Sequence, residues 1–312
     1  MKKRLLTGLQ PSGTLHIGNY FGALKPFVDA YEAYDSMLMV ADLHALTSLR
    51  DADTLRQNTI DIVKDYLAAG VDPAQAILFR HSDVPEHAEL AWVFECLVTV
   101  PFLMQAHAYK DKVAKGLEAN AGLFNYPMLM AADILLYDTD IVPVGEDQRQ
   151  HVEYAREAVT KFNNAYGETF AAPQEKILAG VGIVPGTDGQ KMSKSYKNTI
   201  PLFGSTEEIK KAVMGIVTDS SGEYPQHVYA IHTLFRDEAS LNALYEAHKG
   251  KYKDLKEALA ADIEAFVAPM REKRGSISDD DVRAVLKEGA ARAHELAAAK
   301  MVAVRKAIGL TI

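Results

Sequence analysis

The sequence predicts an α/β protein whose N-terminal part is built on a parallel sheet and whose C-terminal part is helical. Three observations carry this. Over the first 200 residues short β-like runs alternate with helical patterns, the mark of βαβ units. The first of those runs gives way to a glycine-containing turn, Gln10 to Asn19, just where a helix should begin. From about Ser205 helix follows helix, rich in Ala and Leu, with charges interleaved and few β-branched residues.

Taken in order, the strand candidates are residues 5–9, 37–41, 77–80 and 141–144, short apolar runs of the kind buried on both faces. Helical patterns lie over 19–34, 52–69, 86–98 and 147–163. Asp51 to Asp53 can cap the second of these, and Gly70 fits its end. Pro143 cannot donate to a ladder, so its strand is expected to be short or near an edge. The loops 42–44, 82–85 and 145–148 follow strand ends, the edge of an open α/β sheet where ligands bind. Later helices are placed at 206–217, 240–248, 252–267 and 279–307, and there is no internal repeat.

At 312 residues and 48% hydrophobic content, the chain can bury a large core and form two domains. No apolar run is long enough to cross a bilayer. The basic Met1 to Arg4 leads into a run too short for a signal-peptide core, so a cytoplasmic location is expected. The single cysteine, Cys96, excludes an intramolecular disulfide and a cysteine-built metal site, and no side chain is assigned as a metal ligand. A net charge of −8 disfavours a general nucleic-acid binder. Basic clusters at Lys110, Lys112 and Lys115, at Lys249, Lys251, Lys253 and Lys256, and at Arg271, Lys273 and Arg274 leave room for recognition of one RNA.

Chemistry concentrates in two motifs, Gln10-Pro11-Ser12-Gly13-Thr14-Leu15-His16-Ile17-Gly18-Asn19 and Lys191-Met192-Ser193-Lys194-Ser195. Glycines in the first let backbone approach a ligand, and the helix that follows offers unpaired N–H groups and a positive dipole end to phosphate. His16 can add a hydrogen bond to a phosphate oxygen. The second motif gathers two ammonium groups and two hydroxyls in a loop able to follow a phosphoryl group as charge develops. Either alone is weak, since Lys/Ser loops are commonly just solvated. A third segment, Tyr126 to Tyr137, reads as a helix with Tyr126, Met130, Asp133 and Tyr137 on one face. The bland reading of Asp133 is a cap or a surface ion pair. Surrounded by Met130, Val142 and Val144, however, a paired carboxylate ends a slot suited to a flat apolar ring with one N–H, such as indole.

In this order the first two motifs resemble the HIGH and KMSKS signatures of class I aminoacyl-tRNA synthetases, with Asn19 in place of the second histidine. Together with residues 126–137, 141–151 and 218–221, they make nearly the whole chain similar to the bacterial-type tryptophanyl-tRNA synthetases. That resemblance implies activation of L-tryptophan by ATP to tryptophanyl-adenylate, then transfer to tRNA(Trp) with release of AMP and pyrophosphate. It implies catalytic roles for His16, Asn19, Lys191 and Lys194. Gln10, Pro11, Ser12, Gly18, Asn19, Gly145, Glu146, Asp147, Val184, Lys191, Met192, Ser193, Lys194 and Ser195 would hold ATP. Asp133 would accept the indole N–H, with Leu6, Gly8, His44, Met130, Val142 and Val144 around the ring and Tyr126 and Gln148 at the α-amino group. Mg²⁺ would be held mainly by phosphates and water, leaving little trace in the sequence.

The resemblance also divides the chain. A Rossmann-like catalytic domain is implied over 1–200, with a helical insertion at about 101–135. A helical anticodon-binding domain follows over 201–290, with a final helix, about 291–312, that packs back on the first domain. A homodimer, joined near the segment before Tyr126, is implied, and no membrane. Two departures stand out: Leu6 where many relatives have Phe, and residues 101–109, which lack the family's Glu/Arg-rich pattern and carry His107. The competing readings are a tyrosyl-tRNA synthetase, a small-molecule nucleotidyltransferase, and a non-catalytic RNA-binding paralogue, which should have lost parts of the two loops.

Overall fold

The computed structural model describes residues 2–114, 116, 118–143, 149–176, 184–218 and 224–311. Its centre is a parallel sheet in the order β3-β2-β1-β4-β5. The strands are β1 (Arg4–Leu9), β2 (Asp35–Val40), β3 (Ile77–Arg80), β4 (Ile141–Pro143) and β5 (Gln174–Lys176). The four expected strands are present. β5, described over Gln174–Lys176, is not among the strands expected from the sequence. Among the described residues β4 pairs with β1 at Leu5 and Ile141, and it lies inside the sheet between β1 and β5 rather than at an edge. Strand order reverses at β1, so a crevice opens beyond the ends of β1 and β4, where ligands of such sheets bind.

The first helix begins at α1 (Ile17–Asn19), passes through a π turn over Tyr20–Leu24 and continues as α2 (Lys25–Ala30). There follow α3 (Asp42–Ala45), α4 (Ala52–Ala68), α5 (Glu86–Glu95), α6 (Val100–Leu103), α7 (His107–Ala114), α8 (Ala121–Leu135) and α9 (Arg149–Tyr166). The C-terminal part is α10 (Thr206–Met214), α11 (Gln226–His232), α12 (Glu238–Ala247), α13 (Tyr252–Ser276) and α14 (Asp279–Ala307). Asp51 caps α4 by accepting from the Thr54 N–H, as its sequence indicates.

Successive strand residues face opposite ways, which sorts the core into two layers. Leu5, Leu38, Val40 and Leu78 pack on one face with Ile17, Ile62, Ile209, Val228 and Leu259. Leu6, Met37, Met39, Ile77 and Phe79 pack on the other with Phe94, Met128 and Phe162. Helices α10, α11 and α13 therefore share a continuous core with the sheet. Helix α8, within the stretch 101–135 expected as a helical insertion, buries Met128, Ala131, Ala132 and Ile134 in the second layer.

The boundary implied at residue 290 falls within α14, the helix placed at 279–307 by the sequence. This helix runs unbroken from Asp279 to Ala307, with Val282 and Leu286 in the first layer and Ala293, Ala297, Met301 and Val304 in the second. The helix thus crosses the edge strand β3, covering a sheet edge that would otherwise invite pairing. Gly289 sits at the crossing, where a Cβ would fall 1.8 Å from the Leu78 carbonyl oxygen.

Two of the basic clusters are engaged internally. Lys256 is buried and donates to the carbonyls of Met214 (3.0 Å) and Ile216 (2.7 Å), satisfying the end of α10. Arg271 forms a two-pronged pair with Glu264, and Arg274 bridges Asp61 and Asp65 on α4. Lys249, Lys251 and Lys253 remain exposed at the α12–α13 turn.

Candidate functional site

The turn after β1 is held from both sides. Gly13 takes φ +101°, open to glycine at little cost. The Pro11 carbonyl accepts from Asn58 Nδ2 (3.1 Å) and the Ser12 carbonyl from Lys194 Nζ (3.1 Å). His16 caps α1 by a reciprocal pair: its Nδ1 accepts from the Asn19 N–H, and Asn19 Oδ1 accepts from the His16 N–H, each at 3.2 Å. Asn19 therefore does more than replace an imidazole: its oxygen closes the cap, leaving its amide nitrogen as the donor end. Because Nδ1 is an acceptor, the ring proton of His16 sits on Nε2. Burial, then the charge of Lys194, push the imidazole down to about 4, so it is a neutral donor at physiological pH.

The downstream loop is brought onto this turn by main-chain bonds, Ile17 N–H to Ile200 O and Leu202 N–H to Leu15 O, both 3.0 Å. Met192 is buried against α1, and a Cβ at Gly18 would fall 3.1 Å from Met192 Cβ, so glycine permits the approach. Val184 is buried and its carbonyl accepts from the Met192 N–H (2.9 Å). Ser193 Oγ accepts from the Ser195 N–H at 3.3 Å. Asn198, which the sequence reading did not single out, pins the loop. Its Oδ1 accepts from the Ser193 N–H (2.7 Å), and its Nδ2 donates to the Lys191 carbonyl (3.1 Å) and to Asp188 (2.7 Å). Lys191 and Ser195 stay exposed, and Lys194 is half-buried over the turn.

Asp133 lies at the other side of the crevice and is only 2% exposed. Three histidines surround it. His44 Nε2 is 2.8 Å from Oδ2, His87 Nδ1 is 2.6 Å from Oδ1, and His81 Nε2 is 2.9 Å from Oδ1. His87 Nε2 in turn meets the Tyr137 hydroxyl at 2.7 Å, so Tyr137 donates to His87 and His87 donates to the carboxylate. Burial opposes ionisation of Asp133, but the nearby charge of His81 and hydrogen bonds from His44 and His87 outweigh it and hold the carboxyl well below the ordinary range. Burial pushes His87 down, keeping it neutral. Asp42 ties the ends of β2 and β3 together by accepting from the Ser82 N–H (2.9 Å) and hydroxyl (2.5 Å), which sets His44 and His81 side by side.

The carboxylate predicted from the sequence is thus paired, by His44, which the sequence reading placed beside the ring, and by His81 and His87, which it did not name. His81 and His87 flank the strand-end loop 82–85, and their spacing about a Pro-containing turn was the available signal. Leu6, Met130 and Val142 pack in the same layer as Asp133's helix, and the His44 and Tyr126 rings meet edge-on at 6.4 Å. Tyr137 does not line the slot; it is buried behind Asp133. Gly8 is exposed at the strand end, and a Cβ there would fall 2.9 Å from the Met39 carbonyl. Gln10 and Ser12 are exposed beside it. His107 is exposed on α7, with no role in this site. Val144, Gly145, Glu146, Asp147 and Gln148 lie outside the described residues.

Residues 1–278 match the family model described as class I tRNA synthetases (W and Y). The chain is 47% identical to a tryptophan–tRNA ligase of Fusobacterium nucleatum, covering 99% of this chain and 98% of that one. It is 46% identical to the corresponding ligase of Rhodopirellula baltica, covering 98% and 99%. Among solved structures, the Campylobacter jejuni tryptophanyl-tRNA synthetase complexed with ADP and tryptophan superposes with a TM-score of 0.91 at 43% identity, covering 98% of this chain and 99% of that one. A tyrosyl-tRNA synthetase of Archaeoglobus fulgidus, at 21% identity and a TM-score of 0.69, shares the fold.

Proposed function

Since the chain belongs to the bacterial-type tryptophanyl-tRNA synthetases of class I, we propose that it activates L-tryptophan with ATP and esterifies tRNA(Trp). The observation that carries the choice of tryptophan is Asp133, an ionised carboxylate at the end of an apolar slot. A carboxylate has about four acceptor positions. His87 and His44 take one each, and His81 crowds Oδ1, which leaves Oδ2 as the acceptor for an indole N–H. The ring lies against Leu6, His44, Met130 and Val142, and Tyr126 reaches the α-amino end. Tyrosine would present a hydroxyl to a site whose polar groups are already oriented by histidines.

ATP lies over the turn, its phosphates met by the helix N-terminus, by His16 Nε2–H and by the Asn19 amide. Attack of the tryptophan carboxylate on the α-phosphorus needs alignment and charge stabilisation rather than a covalent enzyme intermediate. Lys194 supplies that charge: its ammonium already sits at the Ser12 carbonyl and moves with the phosphoryl groups, with Lys191 beside it. Mg²⁺ would be held mainly by phosphates and water, since the turn presents the donors His16 and Asn19 rather than carboxylates, and there it would supply charge to the leaving pyrophosphate.

The helical part, with Lys249, Lys251 and Lys253 exposed, faces the anticodon arm of the tRNA. A second copy docks on α5–α7, where Trp92, Val100 and Val113 are each more than half exposed. Substrates of this kind place the work in the cytoplasm, and no described helix is long and apolar enough to cross a membrane. ATP–pyrophosphate exchange with each amino acid in turn tests the reading. Exchange should depend on tryptophan, and equal exchange with tyrosine would overturn it.

A further inference from the structure

Two of the three histidines around Asp133 are accounted for by hydrogen bonding, and the third is not. His81 is 0% exposed, and among the described residues neither of its ring nitrogens has a hydrogen-bond partner, although Nε2 lies 2.9 Å from Asp133 Oδ1 as an ion-pair contact. A buried imidazole left unsatisfied is costly. Its Nε2 is aimed at the same small volume as His44 Nε2 and the Asp133 carboxylate. One ligand atom from each of these three residues lies within 4.8 Å of the other two.

We propose that His44, His81 and Asp133 form a binding site for a divalent transition metal, Zn²⁺ by chemistry. Two imidazole nitrogens and one carboxylate oxygen, with a fourth position open, match the open zinc site in kind and number. His44 Nε2 lies 2.8 Å from Oδ2 and His81 Nε2 2.9 Å from Oδ1, closer than the spacing of about 3.3 Å between tetrahedral zinc ligands, so the imidazoles and the carboxylate would rotate apart to bring both nitrogens and one oxygen onto the ion. The supporting shell exists: His87 Nδ1–H holds Oδ1 of the carboxylate and is itself held by Tyr137, the outer partnership that orients carboxylate ligands. His44 lies on α3 just beyond β2, His81 directly after β3, and Asp133 near the end of α8, so all three ligands are set close to the sheet's edge. Cysteines are absent from the site, and imidazole with carboxylate suits Zn²⁺ or Co²⁺ over Mg²⁺.

The consequence rests on the reading of Asp133 as the indole acceptor. A metal on Oδ2 and His44 occupies the place of the indole N–H, so metal and tryptophan exclude one another, and the protein's activity becomes sensitive to free zinc. The experiment uses the full chain freed of metal by chelation. Zn²⁺ titrated by calorimetry, and Co²⁺ followed by visible absorption, should each bind once per chain. His81→Gln should weaken binding by at least about 10²-fold, since loss of even an outer partner of a metal ligand costs 10–100-fold; circular dichroism checks that the variant is folded. In pyrophosphate exchange, Zn²⁺ should raise the KM for tryptophan and leave kcat unchanged. Absence of one-to-one binding, or equal binding by a folded His81→Gln, overturns the site. One-to-one binding that leaves the tryptophan KM unmoved upholds the site and overturns the placement of indole at Asp133.

Discussion

Replacing Gly289 by alanine should destabilise the protein, although alanine is the better helix former. Gly289 lies inside α14, and exchange of Gly for Ala in a helix normally gains up to about 1 kcal/mol. Here the new Cβ would fall 1.8 Å from the Leu78 carbonyl oxygen and 2.6 Å from its carbon, where real Cβ contacts essentially never come below 3.0 Å. Helix and strand must part by about 1.2 Å, the gap between those two figures. Overpacking that side chains can absorb costs about 1–3 kcal/mol. The obstacle here is the backbone of a paired strand, so the cost lies at or beyond the top of that range, and a net loss of about 2 kcal/mol or more remains. Gly275→Ala is the control, since nothing lies within 4 Å of a Cβ there, and it should be neutral or slightly stabilising. Urea unfolding followed by circular dichroism measures both. Because β3 leads directly to His81, tryptophan affinity should also weaken in Gly289→Ala. A variant as stable as wild type would show that α14 does not cross β3 at Leu78.

Other consequences can be measured separately. Lys194→Ala should slow adenylate formation by about 10²–10³, the usual effect of one lost electrostatic contact made in the transition state, while the tryptophan Kd from equilibrium titration stays put; weak binding with normal turnover at saturation would contradict this. His16, ordinarily near 6.5 and held down to about 4, is neutral when folded but takes a proton when unfolded as pH falls below 6.5. The stability it contributes above pH 6.5 is therefore lost between 6.5 and 4, and His16→Asn should flatten that part of the stability curve; an unaltered curve would remove the assigned tautomer's basis. Lys256→Gln should lower stability without changing the salt slope of tRNA binding, whereas Lys249, Lys251 and Lys253→Gln together should weaken tRNA binding and flatten that slope. Trp92→Glu should convert a dimer to a monomer by sedimentation; an unchanged mass moves the interface elsewhere.

Much of this was legible in the sequence because it depends on local pattern. Runs buried on both faces mark β1 to β3, and a Ser, Asp or Asn before a helical run marks its start, as at Asp51. The pair of phosphate-directed motifs and the carboxylate at position 133 were readable for the same reason. What escaped depends on contacts remote in sequence. Strand β5 pairs with β4 through Gln174 to Lys176, a polar stretch that the apolar-run pattern does not mark. His81 and His87 gain meaning only when Asp42 ties β2 to β3 and α8 brings Asp133 beneath them. Lys256 and Arg274 read as surface charge, but carbonyls of α10 and carboxylates of α4 claim them. Helix α14 itself was legible at 279–307, from a capping box at Ser278 through alanine-rich turns, whereas its crossing of β3 depends on contacts remote in sequence.

The central claim is that one carboxylate, Asp133, selects tryptophan by accepting its indole N–H. The most direct measurement compares L-tryptophan with its benzothienyl analogue, in which sulfur replaces the ring N–H and the shape is nearly kept. Pyrophosphate exchange by the wild-type protein should give a kcat/KM for tryptophan about 10⁴-fold higher or more, as expected of a site whose buried acceptor is left unpaired. Comparable values for the two amino acids would contradict the assignment of Asp133 as the residue that chooses the substrate.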